Sequence, residues 1–450
     1  MQIITEKSKL VSLFANDISS KNKDNYRLSN FLVFDKCDDG YLVYNTLTKQ
    51  FLLLNEDEYN EIINPSNLGC KNKDFFVQSL LWVPEFFNEI EFYGQLRDFM
   101  IKVGKVDYID TFTVLTTTKC NARCFYCFER GCNQVDMTEE TAVELAEFMI
   151  KKSNGRKINI KWFGGEPLCN YKIIDIICKY FKERNVKYAS KMVSNAYLFD
   201  DEIIAKAKEL WKLGVLQISL DGTEKVYNRV KNYINPGEES PFIRVINNIA
   251  LLASNDIKVS VRLNMDIHNK DDLFELSEFL IERFKDQPNV KIYPKLLFDN
   301  TDKLQKTRSN EDRAYLYSEL ERLENILFDN DKYLARKLSS EIMPYFCSAA
   351  AVTSVTVLPD GRLGLCDTIV GTESCGNIKD GITDWDEIAS YNELKPYTEE
   401  CQKCNILPMC ARTKRCPYYV RDCEDYSRES EKRLILYSMR TAYKKWKIEK

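Results

Sequence analysis

Between Phe112 and Leu297 short apolar runs alternate with longer stretches of helical period. Strand-length runs lie at 112–116, 158–163, 188–194, 215–220, 257–264 and 290–297. Between them, stretches such as ETAVELAEFMIKK and DLFELSEFLIERF repeat apolar residues every three to four positions, the mark of an amphipathic helix. Six β-then-α units in series predict an α/β fold, a parallel sheet with helices outside that closes part-way as a partial (β/α)6 TIM-like barrel. Active sites of such sheets sit at the C-terminal ends of the strands. The polar motifs of this region fall there.

The flanking pattern differs. Residues 1–105 carry short β-rich runs in FLVFDKCDDGYLVYNTLTKQFLLL, broken by Asp38-Asp39-Gly40 and by Thr46 to Lys49, and a helix is expected from Asn55. This predicts a small α+β domain ahead of the barrel, which is taken to span 106–335, with a charged helical linker at 305–335. From 336 to 427 there is little periodicity but there are eight cysteines, so metal is expected to replace a hydrophobic core. Residues 428–450 read as an amphipathic basic helix packed on the body.

Composition narrows the chemistry. A net charge of −4 offers no basic field for nucleic acid. No apolar run approaches the ~20 residues that span a bilayer, and MQIITEKSKL lacks a secretory pattern. The expected compartment is the cytoplasm, where thiols stay reduced, so the 16 cysteines read as ligands rather than disulfides. The single histidine, His268, argues against an imidazole-based zinc enzyme.

In LTTTKCNARCFYCFERG, Cys120, Cys124 and Cys127 are spaced C-x3-C-x2-C just after the first barrel strand. Three thiolates on a tight loop can hold three irons of a four-iron cubane and leave the fourth open. A zinc knuckle completed by Cys132 is the plainer alternative. The motif CNARCFYC resembles the CNxxCxYC pattern of the radical S-adenosylmethionine superfamily. Gly164-Gly165-Glu166-Pro167 at the end of the second strand resembles that family's GGEP motif, which binds the methionine amino group. The resemblance implies cofactor contacts from Ser194-Asn195, from Ser219 and Asp221 in SLDG, and from Arg262 and Asn264 in RLN, at three further strand ends. It also implies that a reduced [4Fe-4S] cluster cleaves S-adenosyl-L-methionine to a 5′-deoxyadenosyl radical.

The later cysteines resemble the SPASM extension of that superfamily. Cys347 is followed after thirteen residues by Gly361 and then by Cys366, after which Cys401-x2-Cys404-x5-Cys410, Cys416 and Cys423 follow. Five residues separate Cys410 from Cys416 where the pattern has three. The resemblance implies two auxiliary [4Fe-4S] clusters, one on Cys347, Cys366 and Cys416, the other on Cys401, Cys404, Cys410 and Cys423. Either Cys375 closes the first or one iron stays open to a substrate thiolate. A pair of structural zinc sites is the alternative. Asp367 occupies the place where sulfatase-maturing relatives carry an acid proposed as a base, and is the catalytic candidate; an exposed turn carboxylate reads equally well. Cys37, Cys70, Cys169 and Cys178 read as packed thiols, with Cys169 nearest the expected pocket.

Residues 1–105 resemble the winged-helix, PqqD-like domain with which peptide-modifying enzymes grip a leader, whose exposed strand edge accepts an extended peptide. Together the resemblances imply a maturase of a ribosomally made precursor peptide, served by a flavodoxin or ferredoxin, that installs a crosslink, a cysteine thioether foremost. An anaerobic sulfatase maturase generating formylglycine and a zinc-bound, non-catalytic peptide scaffold are the competing readings.

Overall fold

The structure is a computed structural model that describes residues 1–11, 25–67, 69–104, 106–297, 309–342, 349–367, 374–391, 393, 396–410 and 425–450. Cys347, Cys416 and Cys423 lie outside the described residues. The chain forms two compact units. One comprises 1–105, 335–346 and 393–450; the other comprises 106–334 and 347–392.

The first unit is built on an antiparallel sheet in the order β1 (Gln2–Thr5), β5 (Phe51–Leu54), β4 (Gly40–Asn45), β3 (Leu32–Cys37), with β2 (Tyr26–Leu28) paired to β6 (Trp82–Pro84) beside it. Gly40 turns β3 into β4 at φ +133°, and a Cβ there would come within 2.1 Å of the Leu54 carbonyl. Period-two alternation gives the sheet two apolar faces. Leu32, Val43, Leu52 and Leu54 pack against Ile62, Phe76 and Trp82. Val33, Leu42, Tyr44, Phe51 and Leu53 pack against Ile406 and against Ile435, Met439 and Tyr443 of the C-terminal helix Asp425–Glu449. The helix expected after Asn55 is Glu56–Ile62, started by a capping box between Asn55 and Glu58. Arg440 fixes the C-terminal helix to β3 through a two-point pair with Asp35, at 2.7 and 2.9 Å, while Tyr443 and Lys447 bond Asp39 in the following turn.

The second unit contains the predicted barrel strands in sequence order: β7 (Thr111–Leu115), β8 (Ile158–Phe163), β9 (Tyr188–Val193), β10 (Leu213–Leu220), β11 (Lys258–Met265) and β12 (Val290–Leu296). All five neighbouring pairs are parallel. Helices between them bury one face of each strand: in β8, Ile158, Ile160 and Trp162 are buried, while Asn159, Lys161 and Phe163 alternate onto the open interior face. The helix Glu139–Ser153 shows how sequence sets the crossovers. Thr138 caps its start, acidic residues fill its first turn, Lys151 and Lys152 its last, and Asn154 ends it in the left-handed region.

The sheet continues past β7 into the segment where the sequence showed little periodicity. β13 (Ser354–Val357) runs parallel to β7, and β14 (Arg362–Gly364), β15 (Gly376–Asn377) and β16 (Gly381–Ile382) follow antiparallel. Each of these strands is too short for alternation to stand out. Among the described residues no helix is long and apolar enough to cross a membrane.

Candidate active site

The cysteine loop leaves β7 and is pinned by the turn that leaves β8. Gly165 and Glu166 donate their N–H groups to the Thr117 and Lys119 carbonyls at 3.1 and 2.9 Å. Gly164 stands at φ +117°, and a Cβ on Gly164 or Gly165 would come within 2.2 Å of the Thr117 carbonyl or 2.3 Å of the Lys119 carbonyl. The two glycines therefore let one backbone lie against the other immediately before Cys120. Glu166 is buried, and its carboxylate accepts from Ser194 Oγ at 2.8 Å, from the Asn195 N–H at 2.8 Å and from the Leu168 N–H at 3.1 Å. Burial raises its pKa to about 7, against the pull of the bonds from Asn195 and Ser194. Asn195 Nδ2 reaches back to Asn121 Oδ1 at 2.7 Å, tying the third strand end to the residue after Cys120.

A second network holds the middle of the loop. Tyr126, between Cys124 and Cys127, donates to Asp221 at 2.8 Å. Lys231, the last residue of the helix Glu224–Lys231, places Nζ 2.9 Å from Asp221, 2.8 Å from Ser219 Oγ and 3.1 Å from the Tyr126 hydroxyl. Asn264 donates to Asp221 at 2.9 Å. The Lys231 and Asp221 side chains are only 3% and 2% exposed. Burial alone would lower the Lys231 pKa; Asp221 and Tyr126 outweigh it and hold the ammonium well above the usual lysine value. Ser219, Asp221 and Asn264, expected at the cofactor, are thus brought together around Tyr126 and Lys231. Sequence reading missed Lys231, because a lysine in the last turn of a helix reads as a solvated dipole partner. Arg262, also expected at the cofactor, keeps a buried Nε with no hydrogen-bond partner.

Burial raises the Cys120 pKa to about 12 and that of Cys127 to about 11, and pushes Cys124 upward as well. Cys169 is exposed, and its thiol adds a small upward push to the Cys120 pKa. Among the described residues no three Cys, His, Asp or Glu side chains are drawn together at metal-binding distance. The donor set nevertheless fits a cubane with one open iron: three thiols on one anchored loop, with a spare buried donor, Asn121 Nδ2, beside the first. Cys120, Cys124 and Cys127 would hold that cluster.

The other cysteines divide between the units. Cys366 and Cys375 belong to the barrel unit. Cys375 is buried beside β15, and its thiol donates to the Leu363 carbonyl at 3.4 Å. Asp367, next to Cys366, ion-pairs with Lys161 of β8. Cys401, Cys404 and Cys410 belong to the first unit, in a segment of single turns sewn to the N-terminal sheet: Asn405 Nδ2 donates to the Leu32 carbonyl at 3.1 Å, and Thr46 Oγ1 to the Asn405 carbonyl at 2.5 Å.

Residues 114–280 match the family model described as the Radical SAM superfamily. The radical SAM cyclopropyl synthase TigE of Paramaledivibacter caminithermalis is 28% identical over 262 residues, which span 53% of this chain and 53% of that protein, about half its length. Among solved structures, anSMEcpe with bound AdoMet and the Cp18Cys peptide is similar at a TM-score of 0.56 and 18% identity, over 75% of this chain and 99% of that one. SuiB of Streptococcus suis bound to the precursor peptide SuiA is similar at a TM-score of 0.52 and 14% identity, over 88% of this chain and 99% of that one. The matched segment, which runs through the cysteine loop and most of the parallel sheet, is a radical SAM domain.

Proposed function

We propose that the protein is a radical SAM peptide maturase that takes a hydrogen atom from a ribosomally made precursor peptide and installs a crosslink, a cysteine thioether foremost. A [4Fe-4S] cluster on Cys120, Cys124 and Cys127 with S-adenosyl-L-methionine would supply the 5′-deoxyadenosyl radical. The chain's own contribution is positioning. Glu166, Ser194 and Asn195 fix one side of the loop, Lys231, Asp221 and Tyr126 the other, and the strand ends orient what binds above them.

The observation that carries the peptide reading is the first unit. Its sheet has β3 as an edge strand, and an extended leader can add to such an edge through backbone hydrogen bonds. The likeness to SuiB, solved with its precursor peptide, covers too much of this chain to leave out the first hundred residues. An auxiliary pair of clusters on Cys347, Cys366 and Cys416, open or closed by Cys375, and on Cys401, Cys404, Cys410 and Cys423 would take up the surplus electron; flavodoxin or ferredoxin would reduce the first cluster.

The test is anaerobic reconstitution followed by co-expression with a short cysteine-bearing precursor encoded nearby. About twelve irons per chain, reductive formation of 5′-deoxyadenosine and a product lacking two hydrogens are expected. Zinc without iron would support the scaffold reading instead. Loss of thiol alkylation in the product marks a thioether; retention of the thiol marks a carbon–carbon bond, the alternative to which the name of the cyclopropyl synthase relative points.

A further inference from the structure

The interior face of the barrel carries two lysines side by side. In the β8–β9 register Lys161 lies directly opposite Lys191. Like charges at paired positions repel; Lys191 is exposed, so solvent screens part of that repulsion and leaves its ammonium open to a bound anion. Lys161 is answered by Asp367. For Lys191 no carboxylate lies at ion-pair distance among the described residues; Asp367 acts on it only through space. Burial, then Lys161, lower the Lys191 pKa, and Asp367 opposes them.

Both ammonium groups line a cavity of about 180 Å³ whose other polar walls are Gln217, Ser260 and Tyr293. The strand registers explain the grouping: Gln217 of β10 is level with Ser260 of β11, and Tyr293 of β12 is level with Arg262 one step higher. The walls supply hydrogen-bond donors and one uncompensated positive charge. Lys161 and Lys191 stand three residues before Gly164 and Ser194, so the cavity lies roughly 10 Å below the strand ends at about 3.3 Å per residue. That is where the interior of the barrel would receive the body of a substrate whose reacting carbon sits at the strand ends.

We infer that Lys191 is a specificity-determining residue that receives the side-chain carboxylate of an acidic residue in the substrate peptide, with Gln217, Ser260 and Tyr293 supplying the remaining hydrogen bonds. The inference rests on the peptide-maturase reading and adds to it the class of residue that the barrel selects. The charge count decides between anions. Lys161, Lys191 and Asp367 sum to one positive charge, which one carboxylate neutralises; even with Arg262 beside Tyr293 added, a triphosphate would leave negative charge unanswered.

The test uses full-length protein, anaerobically reconstituted and saturated with S-adenosylmethionine, in equilibrium dialysis. The probes are the capped tripeptides acetyl-Ala-Glu-Ala-amide and acetyl-Ala-Gln-Ala-amide, with inorganic triphosphate as a competitor. The glutamate peptide is expected to bind about tenfold more tightly than the glutamine peptide. Lys191→Gln should erase that preference and Lys191→Arg should keep most of it. Equal binding of the two peptides by the wild-type protein overturns the inference, even where Lys191→Gln fails to fold. A preference that survives Lys191→Gln also overturns it, as does triphosphate binding about tenfold more tightly than the glutamate peptide. Reductive formation of 5′-deoxyadenosine by the same wild-type preparation without peptide separates the two readings. Its absence defeats the radical reading, while its presence together with equal peptide binding defeats only the acidic subsite.

Discussion

The two units hold their cysteines by opposite means. In the barrel unit Cys120, Cys124 and Cys127 ride on a loop fixed by polar side chains converging from the ends of β8 to β11. In the first unit Cys401 and Cys404 are set by apolar packing: Cys401 and Leu407 join a cluster with Leu47, Val83, Tyr93 and Leu96, and Cys404 packs against it. Buried charge specifies a geometry but becomes a liability when one member is removed, whereas an apolar cluster degrades in proportion to the volume lost. The barrel loop is therefore the more exact and the more fragile of the two.

Four single substitutions, in descending order of effect, and one double variant sharpen that contrast. Cys124→Ala should abolish 5′-deoxyadenosine formation and remove about four of about twelve irons; retained cleavage would refute the cluster assignment. Lys231→Met leaves Asp221 buried and unpaired, and should cost about 3–5 kcal/mol in denaturant unfolding of the barrel unit. The double variant Lys231→Met with Asp221→Asn should recover part of that loss, and no recovery would mean that the pair is not coupled. Met439→Ala, at a fully buried position of the C-terminal helix, should cost about 2–4 kcal/mol in the first unit and leave the barrel transition in place. Arg440→Ala removes the pair with Asp35 from a side chain 42% exposed but leaves a carboxylate only 9% exposed, so a loss of about 1–2 kcal/mol is expected. A loss as large as that of Lys231→Met would erase the distinction between the units.

The barrel was legible because each strand buries one face under helices, and INIKWF and its counterparts carry that alternation openly. Glycine in GGEP was legible too, but its immediate partner is the backbone at Thr117 and Lys119. Lys231 was not legible, since nothing local separates a buried helix-end lysine from a solvated one; its burial follows from Asp221 and Tyr126, far away in sequence. The Lys161–Lys191 pair was half legible. Alternation in IKWF and SKMV puts each lysine on the open face, but their adjacency is a matter of register between strands, which sequence pattern leaves free.

The pairing of Asp35 with Arg440 joins positions 405 residues apart, and the barrel's residues are translated between them. Closing so long a span costs entropy that grows only slowly with its length, but no contact can form before its second partner exists. During synthesis the sheet around β3 and β4 leaves the ribosome early and waits, one apolar face uncovered, while the whole barrel is made and can fold. The sheet proposed to grip the leader is thus the last part to be finished. A chain cut short during translation would carry the parallel sheet with this handle unfinished, and under the proposed function the order of synthesis would delay capture of the peptide until the rest of the chain is in place.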